Sequence, residues 1–227
     1  MFYFDPVYYL YALPGLALAL WAQFMVRSTF ARYAKVPTSS GMTGAGVADL
    51  FMQRTGLRFG INHIPGMLTD NYNPGNKTLN LSQSSVQNSV ASVAVVAHEF
   101  GHAMQDAQNY MPLRLRGAIV PAVNLGAWFG PLLFFIGLML NQYNLAVVGL
   151  IAFAATAVFA IVTLPVELNA SDRAMQMLSQ GGVLAGEELA GARKVLNAAA
   201  FTYVAAVAQS LLTLLYYVSI LGGRRRS

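Results

Sequence analysis

The stretch VVAHEFGHAMQ, residues 95–105, places two histidines four positions apart, with a glutamate directly after the first. Residues at i and i+4 lie on one face of a helix, so His98 and His102 can direct their imidazoles at a single zinc ion. Glu99 is turned around the helix, where it can reach a water on that metal. This is the chemistry of H-E-x-x-H: zinc lowers the pKa of its bound water and the glutamate takes the proton. Roughly 0.0007 such matches are expected by chance in a chain of this composition, which has only three histidines. A buried polar cluster with no role would have to desolvate three such groups, which is costly. His98 and His102 are therefore candidate zinc ligands, and Glu99 a candidate general base.

A tetrahedral catalytic zinc needs a third protein ligand and leaves its fourth position to water. The chain has no cysteine, so that ligand must be His, Asp or Glu. His63, Glu167 and Asp172 are open to the role. Asp106 is one turn beyond His102, but it lies about 9 Å along the axis from the midpoint of the two histidines, too far for an aspartate side chain. His63 sits in the turn-rich segment RFGINHIPGMLTDNYNPGNKTLNLS, residues 58–82, and reads as a surface or structural histidine. Asp70 reads as the head of an Asx-type turn. Tyr72 and Arg173 are candidates for stabilising the oxyanion of a tetrahedral intermediate.

The elements that must position these groups belong to an apolar chain. Of 227 residues, 56% are hydrophobic and 10% charged, far below the roughly 25% charge of a soluble domain, so the composition indicates a membrane protein. The net charge of +5 flanks apolar runs rather than interleaving with aromatics, and no nucleic-acid motif accompanies it. Four runs reach the roughly 20 residues that a bilayer-spanning helix needs: Val7–Val26, Ile119–Leu140, Leu145–Leu164 and Ala198–Leu221. No Asp, Glu, Lys, Arg or His occurs from Ile119 to Val166. The first run lacks a preceding Lys or Arg and reads as a retained anchor rather than a cleaved signal.

The expected organisation is an N-terminal transmembrane helix (1–26), a catalytic region (27–118), a transmembrane hairpin turning at NQYN (119–164), a helix carrying the third ligand (165–197), and a last transmembrane helix with a basic tail (198–227). The fold class is mainly α, with about four transmembrane helices and a zincin-like catalytic region. Within that region Ser39–Leu57 reads as a capped amphipathic helix with Val47, Leu50, Phe51 and Leu57 on one face. The alternation in KTLNLS, residues 77–82, predicts a half-buried strand, expected to be an edge on which a substrate peptide docks. The H-E-x-x-H helix is expected from about Gln83 to Gln108, capped by Ser82 or Ser84.

AHEFGHAMQ, LPVELNASDRA, GMLTDNYNP and AAAFTYVAA together resemble the bacterial membrane zinc metallopeptidases of the YugP-like family, over nearly the whole chain. That resemblance implies a zinc-dependent neutral peptidase with Glu167 as the third ligand; Asp172, about a turn and a half further along the same helix, is the runner-up by position. The chain is more distantly similar to the HtpX and CAAX-prenyl endopeptidases, whose third glutamate lies in E-x-x-A-D. Here Ser171 stands where that group has aspartate, leaving Asp172 as a candidate for the role of that carboxylate beside the metal.

The expected function is hydrolysis of peptide bonds in protein or peptide substrates associated with the membrane, with Zn²⁺ as cofactor, the lipid bilayer as surroundings and no nucleic-acid partner. A non-catalytic adaptor with a structural metal is the alternative, but structural zinc sites normally have four protein ligands. A channel or transporter would be expected to carry ionisable residues inside its spans, and the second and third spans have none. Arg27, Arg32, Lys35, Arg114, Arg116, Arg173, Arg193 and Lys194 fall on one side of a four-span topology. The positive-inside rule puts that side, with the catalytic segments, in the cytoplasm of a bacterial inner membrane. Arg224, Arg225 and Arg226 fall on the other side, against the larger set.

Overall fold

The computed structural model describes residues 6–224. Four of its helices are long and apolar enough to cross a bilayer: α1 (Pro6–Tyr33), α4 (Met111–Met139), α5 (Tyr143–Gln180) and α6 (Gly186–Arg224). Two shorter helices, α2 (Gly44–Thr55) and α3 (Val90–Ala107), accompany strands β1 (Gly60–His63), β2 (Asn71–Asn73) and β3 (Thr78–Leu81). At about 1.5 Å per residue, the 38 residues of α5 are nearly twice the length that a roughly 30 Å hydrocarbon core needs. The helix therefore outruns its apolar stretch, and Glu167 lies on the excess. Residues 1–5 and 225–227, including Arg225 and Arg226 of the basic tail, lie outside the described residues.

By its contacts the chain divides into two compact units, one formed by residues 23–113 and 166–201, the other by the described parts of 1–22, 114–165 and 202–227. In the second of these, small residues let helices α4 and α5 approach closely: a Cβ on Gly126 would stand 2.2 Å from the Ala152 carbonyl, and one on Gly137 2.3 Å from the Ala146 nitrogen. Close backbone approach is what drives helix association in lipid, where apolar burial gives no preference. Phe134 stacks on Tyr217 at 4.3 Å between centroids and anchors the local core.

The unit of residues 23–113 and 166–201 is built around α3. Val90, Val93, Ala94, Ala97 and Phe100 are fully buried and pack with Val47 and Phe51 of α2 and with Leu178, Leu184 and Leu196. Thr43 caps α2 by accepting the Gly46 N–H, and Gly56, at φ +72°, ends it, as left-handed C-caps commonly do. Val47 and Phe51 form the buried face, with Leu50 and Leu57 packed beside them.

Two local expectations need correction. Helix α3 begins at Val90, not near Gln83, and its cap is Ser89, whose side chain accepts the Ser92 N–H. Residues 83–86 form a 3₁₀ turn instead. The serines there bond elsewhere, Ser82 Oγ to Asp70 at 2.6 Å and Ser84 Oγ to Ser82 Oγ at 2.6 Å, the side-chain competition that makes serine a poor helix-interior residue. The strand in KTLNLS is not an edge. The sheet order is β1-β3-β2, so Thr78–Leu81 is the middle strand, parallel to β1 and antiparallel to β2. Its alternation reflects Leu79 and Leu81, both fully buried against Ala48 and Val96. With both backbone edges paired, β3 cannot take up a substrate strand.

Candidate metal centre

The i, i+4 spacing on α3 brings the two imidazoles to 4.8 Å between centroids at 84°. Glu167, from α5, enters between them: its Oε2 is 3.1 Å from His98 Nε2 and 3.4 Å from His102 Nε2. One donor atom from each of the three lies within 4.8 Å of the others. Glu167 is 2% exposed and His102 8%, so the group is shut off from bulk water on most sides. Helix α5 reaches α3 here because position 101 carries no side chain. A Cβ on Gly101 would stand 2.5 Å from the Ala170 carbonyl oxygen and 3.1 Å from its Cα. That backbone has little room to yield. Gly101→Ala gains helix propensity of about 1 kcal/mol, but overpacking a close contact costs about 1–3 kcal/mol and moves Glu167. The expected result is a lowered melting temperature together with weaker zinc binding, read by thermal unfolding with and without the metal.

The outer ring nitrogens are occupied. His102 Nδ1 lies 3.0 Å from Gln105 Oε1, while Gln105 Nε2 donates to the Val166 carbonyl at 2.8 Å and to Asn169 Oδ1 at 3.0 Å. Those two acceptors fix the amide with its oxygen towards the histidine, so His102 carries its proton on Nδ1. His98 Nδ1 meets Ser171 Oγ at 3.1 Å, where the hydroxyl can accept in the same way. Both Nε2 lone pairs then point at a carboxylate. Glu167 Oε2 lies 3.1 and 3.4 Å from the two Nε2 atoms, so one cation can be shared by all three, and two imidazoles with one carboxylate are a normal catalytic zinc set. The residues fit the metal.

Gln105, Ser171 and Asn169 were not among the candidates for holding the site. A signal was present for Gln105, three residues after His102 on the same helical face, whereas Ser171 meets His98 from α5, a pairing that no local spacing reveals. Groups that orient metal-binding histidines typically contribute 10–100-fold to affinity. Gln105→Leu is accordingly expected to weaken zinc binding by roughly that factor, measured by competition with a chelator of known affinity.

Glu99 is held from the sheet side. Its Oε2 accepts the Tyr72 backbone N–H at 3.0 Å, from the edge of β2 that does not face β3. Burial pushes its carboxyl above the usual range, against the lowering influence of His98 and His102. For His102, burial acts downwards, yet Glu167 and Glu99 hold it above its ordinary value. The Tyr72 hydroxyl donates to Asp106 at 2.7 Å, and Lys77 pairs with the same carboxylate. Burial first, and Asp106 second, push the Tyr72 phenol up, so it stays neutral with its proton committed to Asp106.

The other candidates are not among the three converging donors. Arg173 donates to Asn169 at 2.7 Å and to Gln108 at 2.6 Å, and lies over the Tyr110 ring. Asp172 is exposed on α5, and His63 is exposed at the end of β1. Asp70 accepts from the Ser82 N–H at 2.7 Å and from the hydroxyls of Ser82 and Ser85, so its role is to tie a loop. Asp106 holds Tyr72 and Lys77 and is outside the group.

Comparison with known proteins points the same way. Residues 8–222 match the family described as "Putative neutral zinc metallopeptidase". A curated relative from Bacillus subtilis (strain 168), "Putative membrane protease YugP", is 43% identical over 213 residues, covering 92% of this chain and 95% of the relative. No solved structure matches the chain.

Proposed function

The chain belongs to the family described as "Putative neutral zinc metallopeptidase", and from that membership we propose that it is a membrane-embedded endopeptidase in which His98, His102 and Glu167 hold zinc and Glu99 is the general base. The observation that carries this reading is the convergence of those three donors within 4.8 Å, with Glu99 held one residue away by the Tyr72 N–H. Zinc, when bound, supplies Lewis acidity, polarising a carbonyl and making a water acidic near neutral pH. The chain's own residues do the rest. Gln105 and Ser171 fix the ring orientations of His102 and His98. The Tyr72 N–H occupies Glu99 Oε2, leaving Oε1 to take a proton from the attacking water and return it to the leaving amine. Burial raises the Glu99 carboxyl, the direction that helps a group which must return the proton it takes. Substrates are protein or peptide chains at the membrane.

A structural metal site would normally have a fourth protein ligand, and this group of three His and Glu donors favours catalysis. Proteomics of a membrane fraction tests the assignment: new peptide N-termini should accumulate with the active protein and be absent with Glu99→Gln. Identical termini in both would remove it.

The same reading places residues 27–118 and 165–197 in the cytoplasm of a bacterial inner membrane, on the weight of the basic residues flanking the spans. Single cysteines at the exposed positions Ser39 and Asn144 report the two sides. Impermeant maleimide should label Asn144→Cys on intact spheroplasts and spare Ser39→Cys; the reverse pattern inverts the topology.

A further inference from the structure

The loop between β1 and β2, residues 64–70, contains part of the GMLTDNYNP stretch and is tied down along its length. Ile64 N–H donates to the Leu81 carbonyl at 2.9 Å and Gln83 N–H to the Gly66 carbonyl at 3.2 Å. Leu68 N–H donates to Ser84 Oγ at 3.1 Å, Thr69 Oγ1 to the Pro65 carbonyl at 3.0 Å, and Asp70 gathers Ser82 and Ser85. Two residues have left-handed backbone, Gly66 at φ +103° and Leu68 at φ +58°. Glycine takes that conformation freely, whereas a bulky leucine there is an outlier that the surrounding bonds must impose.

What this bonded frame presents is apolar. Met67 is 63% exposed, Leu68 38%, and Val86, two residues beyond the Ser84 that holds Leu68, is 49% exposed. Met67 and Leu68 are consecutive, and their exposed side chains on a hydrogen-bonded turn are available for contact with another molecule. The loop also runs straight into β2, whose Tyr72 N–H holds Glu99. Leu68 is four residues before Tyr72, at most about 14 Å along the chain, a span comparable to four residues of an extended substrate.

We propose that the Met67–Leu68 tip, together with Val86, docks a large apolar side chain of the polypeptide substrate a few residues from the bond that is cleaved. The proposal rests on the peptidase reading and names a preference within it: substrates with an aliphatic or aromatic residue at that distance.

Binding to the full-length Glu99→Gln protein in detergent tests it without turnover. The probes are a fluorescein-labelled leucine-rich peptide and its serine-substituted counterpart, followed by anisotropy. In that background, Met67→Ser with Leu68→Asn removes the apolar tip while keeping a residue type that accepts left-handed backbone. This variant should bind the leucine-rich peptide about tenfold more weakly, in keeping with the loss of a buried aliphatic contact, and leave the serine peptide unchanged. Val86→Ser, a milder change, should weaken the leucine-rich peptide about threefold. Unchanged affinity in both variants, or an equal loss for both peptides, overturns the docking point. A difference seen only in lipid nanodiscs and absent in detergent also overturns it, assigning the tip to the bilayer. The peptidase reading fails separately: a leucine-rich peptide that binds in a tip-dependent way but is never cut by the protein carrying Glu99 removes that reading and leaves the docking point standing.

Discussion

Glu99→Gln is expected to lower turnover by about 10²–10⁴-fold while zinc remains bound. Glutamine keeps the size of the side chain and an oxygen that can still accept the Tyr72 N–H at the position Oε2 now holds, so β2 and α3 keep their contact. What is lost is the basic oxygen. The amide cannot take a proton from water, and it cannot deliver one to the departing nitrogen. Because one group serves both transfers, a loss at or beyond the upper end of that range is consistent with the account. Glu99 is not among the three converging donors, so metal content should match the parent. The measurements are kcat on an unfolded protein substrate and zinc per chain on the same preparation. Parental turnover in Glu99→Gln would remove the proposed mechanism.

Glu167→Ala is expected to lower zinc affinity by more than the roughly 10–100-fold typical of groups that only orient the ligands, because one of three protein donors disappears. The carboxylate is 2% exposed and bridges both Nε2 atoms at 3.1 and 3.4 Å, so water reaching the gap replaces its charge poorly. Asp172→Ala and Asp106→Ala supply the contrast. Asp172 is exposed on the next turn of α5, and Asp106 is bound to Tyr72 and Lys77, so both variants should keep their zinc. Full occupancy in Glu167→Ala with loss in Asp172→Ala would transfer the ligand to Asp172.

Much of this site could be read from the residues because its chemistry is local. His98, Glu99 and His102 share one helix, and helical periodicity alone fixes which face each occupies. Glu167 is 65 positions further on from His102, and resemblance to a family, with its place as the first ionisable residue after the uncharged run 119–166, set it ahead of Asp172. What the sequence left hidden is tertiary. The close crossing at Gly101 and Ala170 and the clamp of Gln105 on Val166 and Asn169 depend on how α5 meets α3, which no local pattern encodes. The transmembrane helices were legible from their apolar length. Their extensions past the apolar runs, as in α5 to Gln180 and α6 from Gly186, were harder to see, because polar helical residues signal solvent as readily as helix. The middle strand was mistaken for an edge for a related reason. Period-2 alternation reports that one face is buried, and says nothing of whether the backbone groups at either side have partners. Tyr72 shows the same limit: its hydroxyl attracted attention, whereas the group that meets Glu99 is its main-chain N–H.

Zinc-dependent cleavage by the purified full-length protein tests the central claim most directly. Cleavage of a fluorescent unfolded protein is followed in detergent, first as isolated, then after removal of metal by a chelator, then on return of zinc up to one equivalent per chain. The account predicts cleavage that disappears with the metal and returns in proportion to zinc, saturating near one ion per chain. Cleavage that survives complete removal of zinc, or a fully zinc-loaded protein that cuts no substrate, would contradict it.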